Sequence, residues 1–444
     1  MSIQLSDHFT CGKLLKFSLP SILMMVFTSI YSIVDGFFVS NFAGDIPFKA
    51  VNLIFPFIMI MATVGFMFGT GGTALVASVY GAGDKERANR YFSLFVYVAF
   101  GLGVVCAVIS FLFMKPIAAA LGAEGAILRD CVTYGRILMC SLPFCVLQYL
   151  FQNFCVAAEK PRLGLIAILA AGIANMVLDA ILVTLLPLEY KLVGAAIATA
   201  FSQFLGGVIP LIYFFRKNSS ILQLGKTRFE LKALGKACSN GASEFMSNIA
   251  MNLVGMLYNI QLLAFAGDDG VAAYGVMMYV SFIFAAVFFG YVIGVSPIIS
   301  FHHGAGNHAE KRSVLRKSLL IISSLSVIML VLGQLLAVPL TNLFVGYRPE
   351  LAEMTIHGFR IFALSFMPMG FAIFASSFFT ALNDGLTSAL ISFLRTLIFQ
   401  LGAVLLLPMI WQLDGIWISV VVAEVMAVIF SAIFLLAKRK KFQY

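Results

Sequence analysis

Twelve apolar stretches, each longer than the roughly 20 residues that cross ~30 Å of hydrocarbon, leave this chain one solvent to fold in. They run near 14–43, 48–79, 91–114, 131–157, 163–187, 191–215, 233–266, 271–301, 313–338, 352–381, 386–410 and 413–437. With no water to pair its backbone, each stretch is expected as a helix. Several are long enough to need tilt or a kink. The chain is 61% apolar and 11% charged over 444 residues, too few charges to cover a soluble protein of this size. The first stretch is longer than a signal-peptide core and no small-residue cleavage site follows it, so it is expected to remain as a helix.

The stretches come in two sets. Phe-Ala-Gly-Asp at 42–45 recurs at 265–268, and Gly-Ala-Gly at 81–83 recurs at 304–306, both 223 positions later. Further on the offset drifts to 225, with Ala-Glu-Lys at 158–160 facing Asn-Asp-Gly at 383–385. It becomes 221 where Leu-Val-Gly at 192–194 faces Leu-Asp-Gly at 413–415. Six helices per half, an even number, let both halves enter from the same side as parallel repeats, an organisation typical of transporters. The expected division is 1–215, a basic linker at 216–232, and 233–444.

Basic residues set the expected orientation. Only Lys49, Lys115, Arg129, Lys191 and Arg348 fall at breaks on one side, and Arg136, Arg360 and Arg395 fall within stretches. Every other Lys and Arg lies on the opposite side, which places that side and both termini in the cytoplasm. The net charge of +9 is therefore a topology signal, and its scatter over short loops argues against nucleic acid as a partner. No phosphate-binding loop, Cys-x-x-Cys pair or nucleophile–base constellation is present, so neither ATP hydrolysis nor an enzyme is expected. The seven cysteines read as packing residues, and His302, His303 and His308 as solvated loop residues.

Four acids fall well inside the stretches: Asp35, Asp179, Glu244 and Glu424. Each costs at least a few kcal/mol in a bilayer unless it faces a cavity or a partner. Asp35, Asp179 and Thr199 lie at a common depth, roughly 12 Å from one surface, and Asn175 is one turn before Asp179 on the same face. Two carboxylates, an amide and a hydroxyl can hold a hard cation, or the carboxylates can share a proton. They can also simply bond helices together. Their counterparts in the second half, near Tyr258, Gln400 and Val404, carry no acid, which favours one coupling site. Glu244 can balance a cationic substrate, pair with Lys236, or bond a neighbouring helix. Glu424 reads as structural, and Arg360 and Arg395 have no assigned partner.

The ordered set of motifs resembles the multidrug and toxic compound extrusion (MATE) family, within it the MepA-like bacterial branch, over nearly the whole chain. It comprises Pro20 followed by Ile-Val-Asp35-Gly-Phe-Phe-Val, Tyr-Gly-Ala-Gly-Asp-Lys-Glu-Arg-Ala at 80–88, Ala-Ala-Glu-Lys-Pro-Arg at 157–162, Asn175-x3-Asp179, and Val-Gly-Ala-Ala-Ile-Ala-Thr at 193–199. The resemblance implies an all-α membrane protein of twelve transmembrane helices in two six-helix bundles, arranged as a V around a central cavity. It implies export of small organic cations by a monomer in the bacterial plasma membrane, in exchange for H⁺ or Na⁺ and without a cofactor. It carries a cation-coupling role onto Asp35, Asn175, Asp179 and Thr199, a weaker one onto Tyr134, and a hinge onto Pro20. With Na⁺ as the coupling ion, Asp35, Asn175, Asp179 and Thr199 would be its ligands. Asp35 and Glu244 are the expected substrate contacts. The acid that some members carry in the middle of the tenth helix is absent here. The rival reading is a flippase for a lipid-linked oligosaccharide from the same superfamily. Such proteins tend to line their cavity with several cations, whereas this chain lines its stretches with acids.

Overall fold

The computed structural model describes residues 3–444, and all regular structure among them is helical. The spans are α1 (Cys11–Ala43), α2 (Asp45–Gly81), α3 (Lys85–Leu112), α4 (Gly125–Ala157), α5 (Pro161–Leu185) and α6 (Lys191–Phe215). A continuous run, Leu231–Gly304, is far too long to cross once; it turns back at Gly267 (φ 61°, ψ −153°), making α7 (231–266) and α8 (268–304). Then follow α9 (His308–Val345), α10 (Pro349–Ala363 and Phe366–Ala381, bent by 44°) and α11 (Gly385–Leu406). The last run, Pro408–Phe442, breaks at Gln412 (φ 51°), and α12 (413–442) follows the break. The result is twelve spans in two parallel-repeat six-helix bundles, as expected.

The turns explain the repeated words. Gly44 and Gly267 both have positive φ (98° and 61°), as do Gly83 and Gly306 (93° and 67°). Only glycine takes that region freely, so each word marks a tight turn between spans. The residue after each Gly-Ala-Gly caps the next helix: Asp84 accepts from Arg87 N, and Asn307 from Glu310 N. The third turn corrects the expected register. Glu159 and Asn383 are the matched positive-φ residues (60° and 58°), an offset of 224. A π-turn at Leu394–Phe399 then adds one residue to this span.

At the basic end the halves touch backbone to backbone. A Cβ on Gly71 would sit 2.0 Å from Ala237 O, one on Gly241 2.0 Å from Met67 O, and one on Gly81 2.1 Å from Phe301 O. Small-residue contacts of this kind let membrane helices cross closely, here α2 against α7 and α8. The segment before α1 reinforces the closure. Leu5 and Phe9 are fully buried. Leu5 N donates to Glu159 Oε1 in the first half (2.7 Å), and Phe9 N donates to Glu310 Oε1 in the second (2.8 Å). Lys317 Nζ donates to Phe9 O at 2.5 Å. The linker runs along α3, with Gln223 N donating to Asn89 Oδ1 (2.7 Å) and Thr227 Oγ1 to Arg90 O (2.8 Å).

Candidate functional site

Asp35, Asn175, Asp179, Thr199 and Tyr134 come together from α1, α4, α5 and α6. Thr199 Oγ1 donates to Asp35 Oδ1 at 3.4 Å and to its own helix at Ala195 O, 3.1 Å. The Asp35 carboxyl also meets Asp179 and Asn175, and Tyr134 stands beside both acids and Thr199. Asn175, Asp179 and Tyr134 are at most 2% exposed. Both carboxyl oxygens of Asp179 and the Oδ1 of Asn175 are buried without a donor. Two ionised carboxylates ~4 Å apart repel by about 4 kcal/mol even at an effective dielectric of 20. A set of acceptors this rich and this poor in donors suits a shared proton or a small hard cation.

Asp35 and Tyr134 also line a cavity of about 430 Å³. Its far wall is Tyr279 and Phe282 of α8, so it lies between the two halves. Phe48, Val51 and Phe55 of α2 make it largely apolar, while Ser29, Ser32 and Asn52 add polar points. A flat amphipathic cation fits such walls, with a carboxyl group at one side.

The second half holds a polar core the sequence reading missed. Arg395 and Glu424, left unpartnered or structural above, form a two-point ion pair: Nε to Oε2 at 2.9 Å and Nη2 to Oε1 at 2.8 Å. Their side chains are 13% and 1% exposed. Arg395 lies in the π-turn, which rotates it toward α12. Tyr258, the counterpart of Asp35, shares a hydrogen bond with Ser419 at 2.6 Å and stacks on Tyr274 with centroids 5.3 Å apart. The acid at this level is thus neutralised within its own half, unlike those of α1 and α5. The sequence signalled only that an Arg and a Glu inside adjacent spans each need a partner. Arg395→Met is expected to destabilise the protein by about 3–5 kcal/mol, because Glu424 is left buried and alone; Arg395→Met/Glu424→Leu should recover most of that. Thermal melting in detergent reads both variants, and equal losses would refute the pairing.

Glu244 lines a separate cavity of about 50 Å³ with Met25, Phe66, Thr70 and Asn153 of the first half and Thr380 of α10. Lys236 is not its partner: Lys236 Nζ donates to Asn383 O at 2.5 Å. Phe289 of α8 borders both this cavity and the one lined by Arg395, so the polar levels are stacked along one interface. Pro20 lies inside α1, where its missing N–H leaves the Lys16 carbonyl without a helical donor. The Arg360 carbonyl accepts from Gln334 Nε2 at 2.9 Å, and its side chain is exposed. His302 corrects an expectation: it is 2% exposed rather than solvated, packed edge-on against Phe9 with centroids 6.4 Å apart.

A doubled helical bundle around a cavity between its halves is a transporter architecture. The MatE family model matches this chain twice, at residues 20–181 and 245–405, once in each half. The chain belongs to the MatE family. Among its relatives, multidrug export protein MepA of Staphylococcus aureus (strain MSSA476) is 24% identical over 415 residues, 93% of this chain and 90% of the relative. MepA of Staphylococcus haemolyticus (strain JCSC1435) is 29% identical over 290 residues, 65% of this chain and 64% of the relative. In fold it is similar to a structure described as the outward-facing conformation of a multidrug resistance MATE family transporter of the MOP superfamily. That match has TM-score 0.92 at 20% identity, over 100% of this chain and 98% of the other. Two MATE structures described as the straight and the bent conformation match at 0.91 and 0.87, each at 20% identity over 98% of both chains.

Proposed function

We propose that this protein is a secondary active multidrug exporter that moves small organic cations out of the cell in exchange for H⁺ or Na⁺. The observation that carries the reading is the Asp35–Asp179 contact beside the inter-half cavity, with buried acceptors that lack donors. One occupant of the acid cluster, a proton or Na⁺, competes with a cation in the adjoining cavity. Alternate opening of the halves turns that competition into exchange. No cofactor takes part, and the protein acts as a monomer in a bacterial plasma membrane. The basic end faces the cytoplasm, the two bundles are 1–215 and 233–444, and α1 bends at Pro20. The closed basic end then corresponds to an outward-facing state. An oligosaccharide flippase is disfavoured because Arg395, a basic side chain inside the spans, is bound to Glu424.

Proteoliposomes preloaded with ethidium test the reading under separate Na⁺ and H⁺ gradients. Counter-movement of ethidium under one of them is expected; none under either overturns the proposal. Glu244 lines a space of only about 50 Å³ in this form, too small for ethidium, and supplies negative charge to cationic cargo once the halves part at the basic end. Glu244→Gln should weaken ethidium binding by about tenfold and leave a neutral ligand of similar size almost unchanged, since only the cation loses a desolvated counter-charge. Equal weakening of both, read by fluorescence titration, would make Glu244 a packing residue.

A further inference from the structure

A second sizeable cavity lies at the basic end, between α1 and the turn that starts α5. It measures about 460 Å³, and Lys16, Pro20, Lys160, Arg162 and Leu163 line it together with Glu159. Three cations thus surround one space. The single acid, Glu159, offsets at most one of the three charges, and its carboxylate also accepts the Leu5 N–H at 2.7 Å. Among the described residues, none of the three cations joins an ion pair. An apolar strip continues from this space toward the middle of the span. Leu15, Leu19 and Leu23, spaced one turn apart on α1, are 40%, 52% and 47% exposed, and Ile166 on α5 is 59% exposed. Cations at a span's end with an exposed aliphatic strip beside them match the two parts of a phospholipid, an acidic head and its tails.

We propose that this pocket binds the phosphate headgroup of an anionic phospholipid, with an acyl chain along the Leu15–Leu19–Leu23 strip. Lys16 belongs to α1, whereas Lys160 caps α5 and Arg162 lies in its first turn. One headgroup therefore ties the basic end of α1 to the start of α5, within one turn of Pro20, where α1 lacks a backbone hydrogen bond. The ligand restrains the segment whose bending the exporter reading requires, so the bilayer's anionic lipid content sets how readily α1 bends. The binding claim is independent of transport and stands even if the exporter reading fails.

Native mass spectrometry of the full chain, released from bilayers of mixed phosphatidylglycerol and phosphatidylcholine, tests it. The wild type should retain one phosphatidylglycerol, and Lys16→Gln/Lys160→Gln/Arg162→Gln should hold it about a hundredfold more weakly, as expected from losing three cations near the headgroup. Lys16→Gln alone, which leaves the α5 start untouched, should fall between them and guards against misfolding of the triple variant. A charge-matched control, Lys217→Gln/Lys226→Gln/Lys232→Gln in the linker, should retain lipid like the wild type. Equal loss in the control, or undiminished retention in the triple variant, overturns the site. Displacement of the lipid by millimolar inorganic phosphate also overturns it, because the pocket would then be a soluble-anion site.

Discussion

Asp35→Asn should abolish gradient-driven export while leaving the protein folded and inserted. The substitution keeps shape and one acceptor for Thr199, which lies 3.4 Å away, and removes only the ability to carry a proton or balance a cation. Each elementary charge no longer moved across 100 mV forfeits about 2.3 kcal/mol of driving force, about fifty-fold in the concentration ratio the pump can hold. Stability should not fall, because the change relieves the contact between two acids. Asp179→Asn should behave alike, and Asp35→Asn/Asp179→Asn no worse than the poorer single, since two carboxyls that share one occupant fail as a unit. Ethidium accumulation in intact cells and melting in detergent read the two halves of this expectation. Normal resistance in cells carrying Asp35→Asn, or multiplicative losses in the double variant, would place the residues in separate roles.

Gly241→Ala should shift the protein out of the state seen here. A methyl group at this position meets Met67 O at 2.0 Å, and backbone cannot rotate away as a side chain can. Relief requires α7 to separate from α2, and overpacking of this kind costs about 1–3 kcal/mol. That cost falls only on the form closed at the basic end, so it moves the population toward the opposite form by roughly 5- to 150-fold. Gly71→Ala, on the facing helix 2.0 Å from Ala237 O, should do the same, and the pair should not add. Gly255→Ala has nothing within 4 Å and serves as the control. Spin-label distances between the basic ends of α2 and α8 check the shift. An unchanged distance distribution in Gly241→Ala would mean that the contact is not what holds the halves together.

Most of the architecture is legible in the sequence. Span number and the twofold repeat follow from local rules: apolar runs of membrane length must be helices, and glycine at matched positions marks matched turns. Even the depth argument that grouped Asp35, Asp179 and Thr199 is local, since rise per residue is constant along a helix. The shift to an offset of 224 at Glu159 and Asn383, and the π-turn at Leu394–Phe399, were not legible. Register inside a helix depends on which turn absorbs an inserted residue, and apolar periodicity does not report it.

Charge partners divide along the same line. An acid inside a span announces that it needs something, yet Asp179 and Glu424 announce it identically. Only the packing of α11 against α12 gives Glu424 an arginine, and only the packing of α1 against α5 gives Asp179 another acid. Glu244 and Lys236 lie two turns apart on one helix, yet Lys236 instead reaches Asn383, 2.5 Å away across a helix interface. The sequence by itself determined the membrane environment, the twelve spans, their doubling and the depth at which polar residues sit. The tertiary structure alone decided which of those residues are neutralised and which are left facing a cavity. Depth is a property of position along one helix, whereas a partner is a property of the rotation and approach of two.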